Sequence, residues 1–142
     1  MCIRDRAYTA TKAAVVALSE SWAGELESTG INVSVLCPAF VQTRIYDSER
    51  NRPAQYKSDA IHSDNKNSFL NRAKEMVKNG IEVSIVGKRV VEALNDGEFY
   101  IFTHPNYHPI LKKRSTDIDE AFKKSSESPL LQHLINQKID ML

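Results

Sequence analysis

The sequence predicts an α/β layered architecture that reads as the back end of a larger sheet. Three observations carry that prediction. The patterned segments run helix, strand, helix, helix, strand, the alternation of an α/β layer fold. Only two segments read as strands, about 60 residues apart, and a two-stranded sheet is marginal in water unless further strands complete it. With 142 residues, 42% hydrophobic and 26% charged, the chain has the length of one domain and enough apolar residues for a core.

The elements follow from local patterns. Residues 8–28 predict a helix, because Ala13, Ala14, Val16, Ala17, Leu18, Trp22, Ala23 and Leu26 recur at helical spacing and Gly30 stands just past the end. Its alanine-rich stripe suits packing on a second helix as well as on a sheet, so Trp22 is expected in the core or at a subunit interface. Ile31 to Cys37 alternates β-branched and small residues and stops at Pro38, which predicts a strand. Residues 39–66 are polar and irregular, with short helical turns at most; a connection this long reads as a lid or binding loop. Residues 68–78, ending before Gly80, and 82–95, with Val83, Val86, Val90, Val91 and Leu94 on one face and Gly97 beyond, predict two helices. Residues 99–103 predict a short aromatic strand. Residues 109–125 predict a helix and residues 129–138 a terminal amphipathic helix.

Charge excludes some functions. Nineteen Lys and Arg against eighteen Asp and Glu give a net charge of +1. The densest basic run, Lys112 to Arg114, is soon followed by Asp117, Asp119 and Glu120, so it reads as a solvated helix face. No one-sided basic stripe for nucleic acid is present. No apolar run reaches the ~20 residues of a membrane span, so neither nucleic acid nor membrane is an expected partner. Two cysteines, Cys2 and Cys37, imply no disulfide framework, and a reduced cytoplasmic setting is expected. Cys37 ends a strand with no histidine near it in sequence and reads as a small hydrophobe. His104 and His108 have a spacing seen in some metal sites, but each adjoins a proline and no third ligand converges, so no metal is expected. His62 and His133 read as lone and exposed. Glycine is scarce: five in the chain, about half the usual ~7%, none closer than six residues to the next. A phosphate-cradling loop needs glycines two to five residues apart, and none can be written here.

Chemistry enters at Tyr8-Thr9-Ala10-Thr11-Lys12. Tyrosine and lysine four apart at a helix start share one face, with Cβ atoms ~5–6 Å apart. A cation ~5 Å from a phenol at an effective dielectric of ~20 contributes roughly 3 kcal/mol. That is about two pKa units, moving a phenol from ~10 toward ~8. Such a pair can trade a proton with an alcohol or carbonyl. By itself the spacing is common; the context decides.

That context is the alanine-rich helix, the strand, and then Cys37-Pro38-Ala39-Phe40-Val41-Gln42-Thr43. Here the sequence resembles the short-chain dehydrogenase/reductase superfamily. The family's Tyr-x-x-Ser/Thr-Lys signature is met by Tyr8, Thr11 and Lys12. Its Pro-Gly-x-x-x-Thr turn is met by Pro38 to Thr43, with Ala39 where glycine is usual. The stretch ending Phe99-Tyr100-Ile101-Phe102-Thr103-His104-Pro105 resembles a bacterial branch of the superfamily. The resemblance implies a doubly wound, Rossmann-type parallel sheet, of which residues 7–114 are the C-terminal half, with a substrate lid at about 44–77 and a helical extension over 115–142. It implies an oxidoreductase interconverting an alcohol and a carbonyl with NAD or NADP in the full-length protein, and a homo-oligomer. Tyr8 is implied as general acid/base, and Lys12 as the residue that lowers its pKa and bonds the nicotinamide ribose. Val41 is implied to meet the carboxamide through its backbone and Thr43 to reach the amide or pyrophosphate, with Pro38 and Ala39 completing the cofactor turn.

The family's glycine-rich turn and its cofactor-selecting residue are absent. Its catalytic serine is absent too, since no Ser or Thr precedes Tyr8. The N-terminal nucleotide-binding half is therefore expected to be missing, and residues 1–6, three of them charged, are expected to be a junction foreign to the family. The chain by itself is expected to fold poorly, or to oligomerise through the apolar sides of the helices at 8–28 and 82–95. The alternative function is a catalytically inactive α/β fragment or interaction module that retains the motif only.

Overall fold

The computed structural model describes residues 6–56 and 64–138. They form two compact units, one ending at Thr103 and the other starting at His104. The expectations for Met1 to Asp5 and for His62 lie outside the described residues.

The first unit opens with α1, Arg6–Leu26. Its less exposed positions are Val16, Ser19, Ala23 and Leu26, three, four and three residues apart, which is one face of a helix. Ser19 is buried there and donates to the Val15 carbonyl at 2.8 Å, so its hydroxyl costs no unsatisfied group. Val15, Leu18 and Trp22 lie on the neighbouring face and are exposed, Trp22 by 49%. Trp22 is thus outside the core of this unit, a correction to one of the two places expected for it. Only part of the broad alanine stripe meets a partner. A 3-10 turn over Glu27–Thr29 ends α1, and Gly30 follows it at φ 76°, a left-handed position that glycine adopts without steric cost.

Strand β1 is Val35–Cys37, shorter than the expected Ile31 to Cys37. The reason is its partner: β2, Tyr100–Phe102, is three residues long and pairs in parallel as Val35–Tyr100, Leu36–Ile101 and Cys37–Phe102. Residues 31–34 have β-compatible side chains, but Ile31 is exposed, and Ser34 instead donates its hydroxyl to the Glu98 carbonyl at 2.8 Å. Side chains alternate between the sheet faces. Tyr100 turns toward α1 and donates its hydroxyl to Glu20, while Ile101, on the opposite face, is 2% exposed.

Two helices connect the strands, α2 at Asp64–Lys78 and α3 at Val83–Asn95. Helix α3 packs against β2. Val86, Val90 and Ala93 form its less exposed side, whereas Val83, Val91 and Leu94 remain exposed. Gly97, at φ 68°, turns the chain back so that the Glu98 N–H bonds the Ala93 carbonyl at 2.9 Å. The buried apolar residues described are Val35, Val77, Ala93 and Ile101, all small or aliphatic. So slight a core leaves apolar faces on both sides of a two-stranded sheet. A monomer of this chain is accordingly expected to bind an apolar dye and melt over a broad range, or to sediment as an oligomer. A sharp melt of a dye-free monomer contradicts this.

In the second unit a 3-10 turn over Pro105–Tyr107 leads into α4, His108–Ser126. The terminal amphipathic helix expected over 129–138 is instead a 3-10 segment at Pro129–Leu134. Gln132 Nε2 donates to the carbonyls of Ser126 at 2.7 Å and Ser128 at 3.2 Å. With the amide drawn back onto the preceding turn, six residues form too few i to i+4 bonds to offset helix nucleation.

Candidate active site

Tyr8 and Lys12 stand in the first two turns of α1. Thr11 donates its hydroxyl to the Tyr8 carbonyl at 2.8 Å, holding the turn that carries the pair. The helical spacing puts Lys12 Nζ over the Tyr8 ring, 5.4 Å from its centroid, within cation–π range. Tyr8 is 37% exposed, so its ring is reachable by a ligand.

The second group of expected site residues leaves β1. Because β1 and β2 run parallel, their carboxyl ends share one edge, the place where ligands bind in open α/β sheets. Pro38 ends the strand and starts the turn. Described non-glycine residues all have negative φ, so Ala39 sits without backbone strain at the position where the resemblance leads to an expectation of glycine. The turn is held by a segment that the sequence patterns did not mark. Ile81 N–H donates to the Phe40 carbonyl at 3.0 Å, and Gln42 N–H donates to the Ile81 carbonyl at 2.9 Å. Gln42 Nε2 adds a bond to the Gly80 carbonyl at 2.9 Å. Val41 and Ile81 thus form a parallel bridge.

Two consequences follow. Phe40 and Gln42 spend their inward backbone groups on Ile81, so the N–H and C=O of Val41 between them face away from the bridge. A donor and an acceptor on one residue suit a carboxamide. Gly80 is forced by proximity: a Cβ there would lie 2.3 Å from the Phe40 oxygen. Gly80 had signalled only a helix end, and Ile81, a single apolar residue between helices, is too short for any periodic pattern to reveal. Thr43 Oγ1 accepts from the Ile45 N–H at 3.4 Å, opening the 3-10 segment Ile45–Asn51.

That segment begins the expected lid. Arg44 Nη2 bonds Asp47 Oδ2 at 2.7 Å, and Arg50 Nη1 donates to the carbonyls of Arg44 at 2.9 Å and Asp47 at 2.7 Å. The Arg44 hydrogen bond, with the charges of Arg44, Arg50 and Lys74, holds the Asp47 carboxyl below its ordinary value. A carboxylate depressed on folding favours the folded segment above its unfolded pKa and loses that contribution as pH falls through the folded value. Exchange protection of the amides over 44–51 is therefore expected to fall in acid below about pH 4, and Asp47→Asn should remove that dependence. Unchanged protection across this range would contradict the pairing.

Other expectations divide. Cys37 is half-buried, and burial pushes its thiol up, as a small hydrophobe on a strand requires. His104 packs edge-on against Tyr107, ring centroids 5.8 Å apart, and the described residues contain no group of three metal-ligating side chains. His133 is exposed. Among the described residues no helix is long and apolar enough to cross a membrane.

Residues 2–54 match the family model of the short chain dehydrogenases. The chain is 37% identical over 112 residues to a CLA biosynthesis dehydrogenase/reductase of Lactiplantibacillus plantarum, covering 75% of this chain and 39% of that protein. It is 28% identical over 122 residues to a C alpha-dehydrogenase of a Sphingobium species, covering 86% of this chain and 39% of that one. The chain thus spans about two fifths of the length of the curated relatives it matches. A crystal structure of a short chain dehydrogenase/reductase from Burkholderia phymatum in complex with NAD superposes with a TM-score of 0.72 at 29% identity, over 94% of this chain and 45% of that one. Sequence and fold converge on one assignment: the chain belongs to the short-chain dehydrogenase/reductase superfamily.

Proposed function

We propose that this chain supplies the proton-transfer and nicotinamide-facing part of an NAD(P)-dependent oxidoreductase that interconverts an alcohol and a carbonyl. The observation that carries it is Lys12 Nζ held 5.4 Å from the Tyr8 ring centroid on one turn of α1. The residues around the turn also fit a nicotinamide, because the bridge to Ile81 leaves one backbone donor and one acceptor of Val41 facing away from it.

The nicotinamide, when bound, supplies or takes up a hydride at the substrate carbon. The protein's part is the proton. In reduction Tyr8 gives its phenolic proton to the substrate oxygen, and in oxidation the phenolate takes that proton back. Lys12 would stabilise the phenolate by its charge and would help hold the nicotinamide ribose. The Val41 backbone would hold the carboxamide, with Pro38 and Ala39 shaping the turn and Thr43 available to the amide or pyrophosphate.

Fluorescence titration with NADH and NADPH tests this reading. Saturable binding of at least one is expected, and its absence overturns the proposal in favour of a non-catalytic interaction module. The observation favouring that second reading is that the five glycines are spread along the chain, two of them shaping helix ends and Gly80 the close approach to Phe40, with none in a phosphate loop. A further expectation concerns Lys12. Lys12→Met should lower kcat/KM by about 10²-fold, and Lys12→Arg should recover part of the loss. Equal activity of the methionine variant and the parent would remove Lys12 from the mechanism.

A further inference from the structure

We propose that Arg44, Arg50 and Lys74, gathered around Asp47, bind a carboxylate carried by the substrate, which narrows the substrate class to hydroxy- and oxo-carboxylic acids. The proposal rests on the oxidoreductase reading above. Arg44 directly follows Thr43, so the cluster begins at the end of the proposed cofactor turn. Among the described residues three cations act on the one carboxylate of Asp47. Arg50 Nη1 lies 3.8 Å from Asp47 Oδ2 and is tied to two backbone carbonyls. Lys74, brought in by α2, stands over the Tyr46 ring at 5.3 Å. Among the described residues Glu75, its neighbour, pairs with Lys78 instead, at 3.4 Å.

The cluster already holds one carboxylate, that of Asp47, by a 2.7 Å contact to Arg44. The Arg44 side chain is 69% exposed, and an exposed pair three residues apart is weakly held. A guanidinium engaged by one nitrogen can turn its fork to an incoming carboxylate, whose two oxygens match it. Ile45 and Tyr46, both exposed, offer apolar surface beside the charge for a hydrocarbon stem. Asp47 occupies the place the substrate carboxylate would take.

The test is calorimetric titration of the full chain with octanoate and with octan-1-ol at fixed ionic strength. NADH fluorescence titration is run on the same samples. Octanoate is expected to bind more tightly than the alcohol. Arg44→Gln should weaken octanoate by about fivefold, the scale of one exposed ion pair, and Asp47→Asn, which removes the internal competitor, should tighten it by a similar factor. Opposite signs in these two variants cannot arise from a shared loss of folding. Equal binding of acid and alcohol, or both variants weakening octanoate alike, overturns the carboxylate site. If NADH binds while the carboxylate preference fails, only the substrate class is lost. If the preference holds but NADH does not bind, the oxidoreductase reading and the substrate assignment built on it both fall.

Discussion

Replacing Tyr8 with phenylalanine is expected to lower turnover by about 10²–10⁴-fold, the contribution of a positioned acid or base. Phenylalanine keeps the ring beneath Lys12 Nζ and a helix-compatible side chain in the first turn of α1. Only the hydroxyl is lost. Binding of NADH should weaken by no more than about fivefold, the worth of one hydrogen bond, because the turn carrying Val41 is held by a different segment. Steady-state NADH consumption with a carbonyl substrate, paired with the fluorescence titration, separates the two quantities. A phenylalanine variant that turns over as fast as the parent would remove Tyr8 from the chemistry. A variant that loses NADH binding altogether would assign Tyr8 to the cofactor site alone.

Gly80→Ala is the second substitution with a large expected effect, although Gly80 carries no chemistry. The added methyl would lie 2.3 Å from the Phe40 oxygen and 2.5 Å from its carbonyl carbon, and these are backbone atoms with no rotamer to yield. The bridge that binds Gln42 N–H to Ile81 and Ile81 N–H to Phe40 would have to open. Overpacking of this kind costs about 1–3 kcal/mol, a large share where the buried apolar residues described are Val35, Val77, Ala93 and Ile101. Loss of amide protection at Gln42 and Ile81, together with weaker NADH binding, is the expected result. Gly24→Ala is the control, since a Cβ at Gly24 meets nothing within 4 Å and alanine is the better helix former. Equal behaviour of the two variants would show that the close approach is not what holds the proposed cofactor turn.

The difference between these two glycines shows where sequence reading succeeds and where it stops. Helix α1, its pair of Tyr8 and Lys12, and helix α3 with Gly97 behind it were legible, because each depends on residues within a few positions of one another. Helical periodicity, a capping glycine and an i,i+4 pair are local properties. The strand expected from Ile31 is longer than the observed one because β-propensity records fitness for a sheet rather than the presence of a neighbour, and the three-residue partner limits β1 to Val35–Cys37. Trp22 had the right spacing for a core residue, yet the buried side of α1 passes through Ser19 and Ala23. The segment after Pro129 has an amphipathic pattern, but a glutamine side chain bonded to the preceding turn makes it 3-10.

The sequence by itself determined the α/β class, the helix order, the tyrosine–lysine pair and the turn after the first strand, all encoded in neighbouring residues. The tertiary structure alone decided what holds that turn and what surrounds it. Ile81 anchors Phe40 and Gln42 from some forty positions away, and Lys74 joins Arg44, Arg50 and Asp47 from another helix. Both depend on backbone and charge meeting across a fold. No periodicity or spacing along the chain records such a meeting, because hydrogen bonds and Coulomb forces act on distance in space.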